Sequence, residues 1–105
     1  LKGGRGMTIR KEYVHSCEPE KLYEVAMKEA EPYISKFNVK ISRISENIFE
    51  AKVSIFGKGT IEVQKDRIII TVDSSFLGMP GMKEKVEEMI DKYMTELIEK
   101  CKAQQ

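Results

Sequence analysis

The stretch Phe49-Glu50-Ala51-Lys52-Val53-Ser54-Ile55 alternates apolar and polar residues without a break. That period of two belongs to a strand with one face on a core and the other in water. On its C-terminal side Gly57-Lys58-Gly59 predicts a turn. Ile61 and Val63 then oppose Glu62 and Gln64, Lys65-Asp66 predicts a second turn, and Ile68, Ile70 and Val72 point inward beside outward Thr71 and Asp73. Upstream, Val39, Ile41 and Arg43 alternate with Lys40 and Ser42, and nearer the start Ile9, Lys11 and Tyr13 alternate with Thr8, Arg10 and Glu12. Connections this short imply antiparallel neighbours.

Two segments change the period. From Val86 the apolar positions Met89, Ile90, Tyr93, Met94, Leu97, Ile98 and Cys101 mark one stripe of a helix running from about Met82 to about Lys102, entered through Pro80-Gly81. Glu84, Glu87 and Glu88 in its early turns and Lys100 and Lys102 in its last suit the helix dipole. From Leu22, residues Val25, Ala26, Ala30, Tyr33, Ile34 and Phe37 repeat the pattern, with only Glu29 interrupting the apolar face. Ser16 is placed to cap this helix and Pro19 fits its first turn, while Pro32 predicts a kink or break near Glu31. The expected architecture is α+β, in the order β-α-β-β-β-β-α: a curved antiparallel sheet receiving both helices on one face, a reduced helix-grip-like arrangement. Its wet face would carry Ile48, Phe56 and Ile69 among its charges.

With 105 residues, one domain with one core is expected. The opening Leu1-Lys2-Gly3-Gly4-Arg5-Gly6 has three glycines and no periodicity, so it reads as a linker ahead of a domain starting at Met7. Without Lys2 and Arg5 the chain has 16 basic and 17 acidic residues, and its formal net charge moves from +1 to −1. Glu alternates with Lys nearly throughout, leaving no basic stripe of the kind nucleic acid requires. No apolar run approaches the roughly 18 residues of a membrane span. Cys17 and Cys101 lack CxxC spacing and no secretory signal precedes them, which predicts a reduced, cytoplasmic, soluble protein. The abundance of Lys, Glu and Ile points to a warm-growing source.

Chemistry is sparse. His15 is the single histidine and neighbours Cys17 near a helix start, but a Cys–His nucleophile also needs an orienting group and an oxyanion pocket, which Ser16 does not supply. A zinc site needs three or four ligands, and none cluster; no cofactor is expected. Carboxylates on the second helix fall on its solvent stripe. The glycines around Lys58 lack the Lys-Ser/Thr ending of a phosphate loop. Lys11 and Arg43 stand out because alternation puts both charges on the core side. They are read either as anchors at the mouth of a cavity or as edge positions whose stems snorkel outward. Met89 and Met94 look like core filler. Apolar mass exceeds the needs of a loop in Ser75-Phe76-Leu77-Gly78-Met79-Pro80-Gly81-Met82. There Phe76, Leu77, Met79 and Met82 either project as a patch toward an apolar surface or partner, or fold down to close the core.

The order of elements and several stretches resemble the bacterial polyhydroxyalkanoic acid system proteins, small proteins associated with storage-polyester granules. The resemblance runs through Lys36-Phe37-Asn38-Val39, Gly57-Lys58-Gly59-Thr60-Ile61-Glu62-Val63, Asp66-Arg67-Ile68, Phe76-Leu77 and the helix from Lys83 to Leu97. The family's Gly-x-x-Gly-x-Ile-x-Val pattern has two residues between its glycines, where this chain has one. The resemblance implies a non-enzymatic accessory role at a polyester granule, an apolar ligand or a protein partner. The rival expectation is a small apolar-ligand or lipid carrier that uses the space between the inward strand residues and Tyr93, Met94 and Leu97.

Overall fold

The computed structural model describes residues 8–53 and 57–104. The linker Leu1–Gly6, the start at Met7, and the positions of Ser54, Ile55 and Phe56 lie outside the described residues. Five strands, β1 (Thr8–Val14), β2 (Lys40–Arg43), β3 (Ile48–Val53), β4 (Gly57–Val63) and β5 (Arg67–Ser74), form one antiparallel sheet. Helix α1 (Pro19–Phe37) follows β1, and helix α2 (Met82–Ala103) closes the chain after a short 3-10 helix (Ser75–Gly78). The order in chain is thus β-α-β-β-β-β-α, as the periodicities predict.

Across the sheet the strands run β1-β5-β4-β3-β2. Four strands form a meander whose last member, β5, pairs with the first strand of the chain. The chain therefore travels from one sheet edge to the other between β1 and β2, and α1 makes that journey. Inward residues of four strands, Ile9, Phe49, Val63, Ile68 and Ile70, are buried with Leu22 and Val25 of α1 and Met94, Leu97 and Cys101 of α2. At about 25 cal/mol per Å² of apolar surface, this shared burial is what stabilises helices that local propensity alone would leave marginal.

Helix α1 begins without the expected Ser16 cap. Glu18 is the boundary residue, held extended at φ −67° and ψ 134° as the position before proline requires, and its carbonyl accepts from the Leu22 amide at 2.9 Å. The helix also runs unbroken through Pro32 to Phe37, so the break predicted near Glu31 does not occur. Proline there removes one bond to Lys28 at a position exposed to solvent, and the continuing stripe keeps the next turn helical. Asn38 ends it in the left-handed conformation (φ 55°, ψ 48°), with the amides of Asn38 and Val39 returning to the Ile34 carbonyl.

The turn expected at Gly57-Lys58-Gly59 is instead strand. Gly57, Lys58 and Gly59 pair with Val53, Lys52 and Ala51 on one side and with Ser74, Asp73 and Val72 on the other. Gly57 answers to crowding across the sheet: a Cβ there would lie 2.5 Å from the Asp73 carbonyl oxygen and 2.8 Å from Ser74 Cβ, whereas one on Gly59 would meet only ordinary contacts, the nearest at 3.5 Å. The Lys65-Asp66 turn is where it was expected, closed by the Gln64 amide donating to the Arg67 carbonyl at 2.8 Å.

Two stripe residues of α2 are not core. Met89 is 64% exposed and Tyr93 39%. Tyr93 lies on the flank of α2 that meets α1, its ring edge-on to Tyr33 at 5.8 Å and its hydroxyl donating to the Glu29 carbonyl at 3.2 Å. Glu29, which interrupts the apolar stripe of α1, serves the same junction: its carboxylate takes the Lys100 ammonium at 2.6 Å.

Candidate functional site

Three places gather polar chemistry or exposed apolar surface. The first lies where β1 gives way to α1. His15 is only 5% exposed, and both ring nitrogens are engaged: Nε2 donates to the Gln64 carbonyl at 2.7 Å and Nδ1 accepts from the Cys17 amide at 3.1 Å. These two bonds fix one neutral tautomer. They tie the end of β1 to the β4–β5 turn and to the approach to α1. The ring bonds the backbone of Cys17, so it is not placed to take a proton from that thiol. The Cys17 side chain turns into the core beside Cys101, and both cysteines are buried and free. Burial first, then the hydrogen bond with Cys17, pushes the Cys101 thiol up to about 12. Two thiols 84 positions apart in number therefore meet across the ends of the two helices, which their spacing does not reveal.

His15 and Cys17 border an open groove of about 1020 Å³ that continues to Tyr23, Arg43 and Phe49. Tyr23 of α1 stacks on Phe49 of β3 at 4.4 Å and 14°, and the Arg43 guanidinium lies over both rings at 5.2 and 5.1 Å. Its Nη2 donates to the Glu46 carbonyl at 2.7 Å and to Glu20 at 3.0 Å. Arg43 thus ties the β2–β3 loop to α1 through Nε and Nη2.

Lys11 lies at the opposite edge of the sheet, on β1, so Lys11 and Arg43 do not flank one cavity mouth. The Lys11 ammonium meets Asp91 of α2 at 3.2 Å, and the Tyr13 hydroxyl donates to the other oxygen of that carboxylate at 2.5 Å. By spacing alone Asp91 is one more solvent-stripe acid; an inward lysine on a strand is the signal that a partner has to exist. The Tyr13 hydroxyl, and after it the Lys11 ammonium, hold the Asp91 carboxyl below the usual carboxylate range. Burial, followed by the same Asp91 bond, raises the Tyr13 hydroxyl.

A carboxyl lowered by folding adds stability above its unfolded pKa, and that stability is lost as pH falls through the folded value. Asp91→Asn is therefore expected to lower Tm at pH 7, and the gap to wild type should close as pH is lowered past the carboxylate range. A thermal scan from pH 7 to pH 2 measures this, and a gap constant over that range would dissociate Asp91 from the effect.

The third place is the segment after β5. Ser74 Oγ accepts from the Phe76 amide at 3.2 Å, the Met79 amide donates to the Phe76 carbonyl at 3.0 Å, and the Met82 amide donates to the Met79 carbonyl at 3.0 Å. Neighbours in a 3-10 turn point to different sides, which separates Phe76 from Leu77, and Met79 leaves the turn in extended conformation at φ −77° and ψ 144°. Leu77 is 4% exposed and belongs to the core, so it leaves the predicted patch, whereas Phe76 and Met79 are 43% and 51% exposed and Met82 is half-buried. Beside them opens a nearly wholly apolar groove of about 530 Å³, bounded by Val53, Val72, Phe76, Leu77, Met82 and Val86. The space proposed for a ligand against Met94 and Leu97 is only about 90 Å³.

Among the described residues, no three His, Cys, Asp or Glu side chains converge as a metal site would require, and no helix is long and apolar enough to cross a membrane. No protein-family model matches the chain, and no curated protein matches it significantly. Among solved structures it is similar to TTHA0849 from Thermus thermophilus, at 15% identity over 88% of this chain and 89% of that one, with a TM-score of 0.37. A likeness this distant carries no functional argument.

Proposed function

We propose that this domain is a non-enzymatic accessory binding protein that meets an apolar surface or partner through Phe76, Met79 and Met82. The observation that carries the reading is the exposure of Phe76 and Met79 at a hydrogen-bonded turn, with Phe76 and Met82 bounding an apolar groove. A partly exposed side chain presented by a defined turn, rather than by a loose loop, loses less backbone entropy when it is covered. The sequence resemblance to polyhydroxyalkanoic acid system proteins makes a polyester granule in the cytoplasm the natural surface to test.

Purified protein mixed with polyhydroxybutyrate particles or a triolein emulsion is expected to cosediment. Phe76→Ser with Met79→Ser should weaken that by roughly 10-fold or more while Tm stays within a few degrees. Leu77→Ser should do the reverse, lowering Tm through a buried hydroxyl. Wild-type protein that stays in the supernatant, or a double variant that sediments unchanged, refutes the reading. Carriage of a small apolar ligand is the second reading, favoured by a groove within the roughly 300–1,000 Å³ range of ligand sites. Its signature is a defined mass adduct in native mass spectrometry, removed by Met82→Glu.

A further inference from the structure

Among the described residues, strand β1 ends the sheet on one side, pairing with β5 alone. It has seven residues in continuous register with β5, from Thr8 opposite Asp73 to Val14 opposite Arg67, and contains no proline or glycine. The His15 amide donates to the Asp66 carbonyl at 3.0 Å, one step further along the same register. Hydrogen-bonded pairs alternate in an antiparallel ladder, so Tyr13, Lys11 and Ile9 also spend their amides and carbonyls on β5. Those of Thr8, Arg10, Glu12 and Val14 point away, toward the open edge. The Gln64 amide bonding the Arg67 carbonyl confirms the phase from the other side of β5. Val14 is 82% exposed, and the side chains of Arg10 and Glu12 are 58% and 38% exposed.

An open edge accepts another strand, and charge decides which. A second β1 laid antiparallel must set outward-pointing residues opposite one another, which leaves registers that differ by steps of two. With the two-fold axis at Lys11, Arg10 faces Glu12 of the other copy, twice by symmetry, Thr8 faces Val14, and Ile9 faces Tyr13. Moving the axis to Arg10 opposes two arginines, and moving it to Glu12 opposes two glutamates. Opposite charges across a pair stabilise and like charges oppose it. The two lysines at the axis lie on the inner face, each already matched by Asp91 of its own chain. The other sheet edge, β2, is four residues long, and its Arg43 is committed to Glu20 and Glu46.

We infer that the chain pairs with a second copy of itself through β1, the two sheets joining antiparallel about Lys11 into one continuous sheet. The Arg10 to Glu12 pairs between copies extend the network these residues already form with Arg67, where Arg10 meets Glu12 at 2.8 Å and Arg67 meets it at 3.0 Å.

Sedimentation velocity from about 10 µM to about 1 mM tests this, since an edge-strand dimer falls in the weak range of affinity. Wild type is expected to dimerise within that range. Arg10→Glu and Glu12→Arg should each weaken the dimer by roughly 10-fold or more, and the double variant R10E/E12R should recover most of the loss. Lys11→Cys should crosslink to its counterpart under mild oxidation with diamide more efficiently than Arg10→Cys or Glu12→Cys, because only residue 11 meets itself. The substituted residues are exposed or half-exposed on an edge strand, and a cooperative thermal transition verifies folding of each variant. A monomer at the highest concentration overturns the inference, with Arg10, Lys11 and Glu12 then acting as charges that guard the edge. An association indifferent to single reversals, or not restored by the double swap, overturns it too and moves the interface to the Phe76–Met79 patch.

Discussion

Replacing Ile68 by alanine is expected to cost about 2–5 kcal/mol, whereas the same change at Ile69 should stay within about 1 kcal/mol. The two residues adjoin in β5 and are chemically identical, so the contrast isolates the face they occupy. Ile68 is 1% exposed and lies between Tyr13 of β1 and Val63 of β4, over the side chains of both helices. Ile69 lies on the outer face between Glu12 and Glu62, with no helix above it among the described residues. Truncating Ile68 leaves a void that the strand on either side cannot close, because β5 is held by ladders on both edges. A loss of this size is a large share of the roughly 5–15 kcal/mol of a typical domain. Urea unfolding gives both values from the shift in midpoint at constant m. Equal losses at the two positions would mean that something covers the outer face as well.

That pair also marks where the sequence is legible and where it is not. Phe49 to Val53 alternates cleanly and yields its strand, its face and its neighbours without help. Ile68-Ile69-Ile70 is apolar throughout, and its alternation is recovered only from Thr71 and Asp73 beyond it. Gly57-Lys58-Gly59 reads as a turn because glycine serves two purposes. It frees the backbone, and it also lets strands approach where a Cβ would strike a carbonyl. Nothing within the tripeptide tells which applies. Met89 and Tyr93 fit the helical stripe, yet the stripe is wider than the sheet beneath it, and its flank meets α1 instead. Periodicity assigns a direction from the helix axis; it does not say how far the neighbouring layer extends.

The candidate sites were legible to a different degree. Lys11 and Arg43 were conspicuous because charge on a core-facing position needs compensation, and both are compensated. The compensating groups, Asp91 for one and Glu46 with the Tyr23–Phe49 stack for the other, depend on how the helices and loops lie rather than on any local spacing. In Phe76 to Met82 the two readings divide by residue, since a 3-10 turn sends Leu77 inward and Phe76 outward. The proximity of Cys17 and Cys101 left no trace in spacing at all, because it arises from the start of one helix meeting the end of the other.

The second large effect is expected at His15. His15→Leu keeps apolar volume in the site but strips the Gln64 carbonyl and the Cys17 amide of their partner. Each polar group left buried without a bond costs about 1–3 kcal/mol, and the part-buried Gln64 carbonyl falls toward the lower end, so a loss of about 2–5 kcal/mol is expected. His15→Asn should lose roughly half as much, because an asparagine oxygen can accept from the amide two residues on, as Nδ1 does, while failing to reach Gln64. Chemical denaturation ranks the three proteins, and thiol labelling of the folded chain supplies the second reading. A histidine that served Cys17 as a base would, on replacement, slow labelling and leave stability nearly intact. A histidine that clasps three segments together would, on replacement, lower stability and hasten labelling, because the first turn of α1 opens more often and exposes the thiol. The geometry requires the second result, since the bond that joins the two residues ends on the backbone nitrogen of Cys17 and leaves its sulfur facing Cys101.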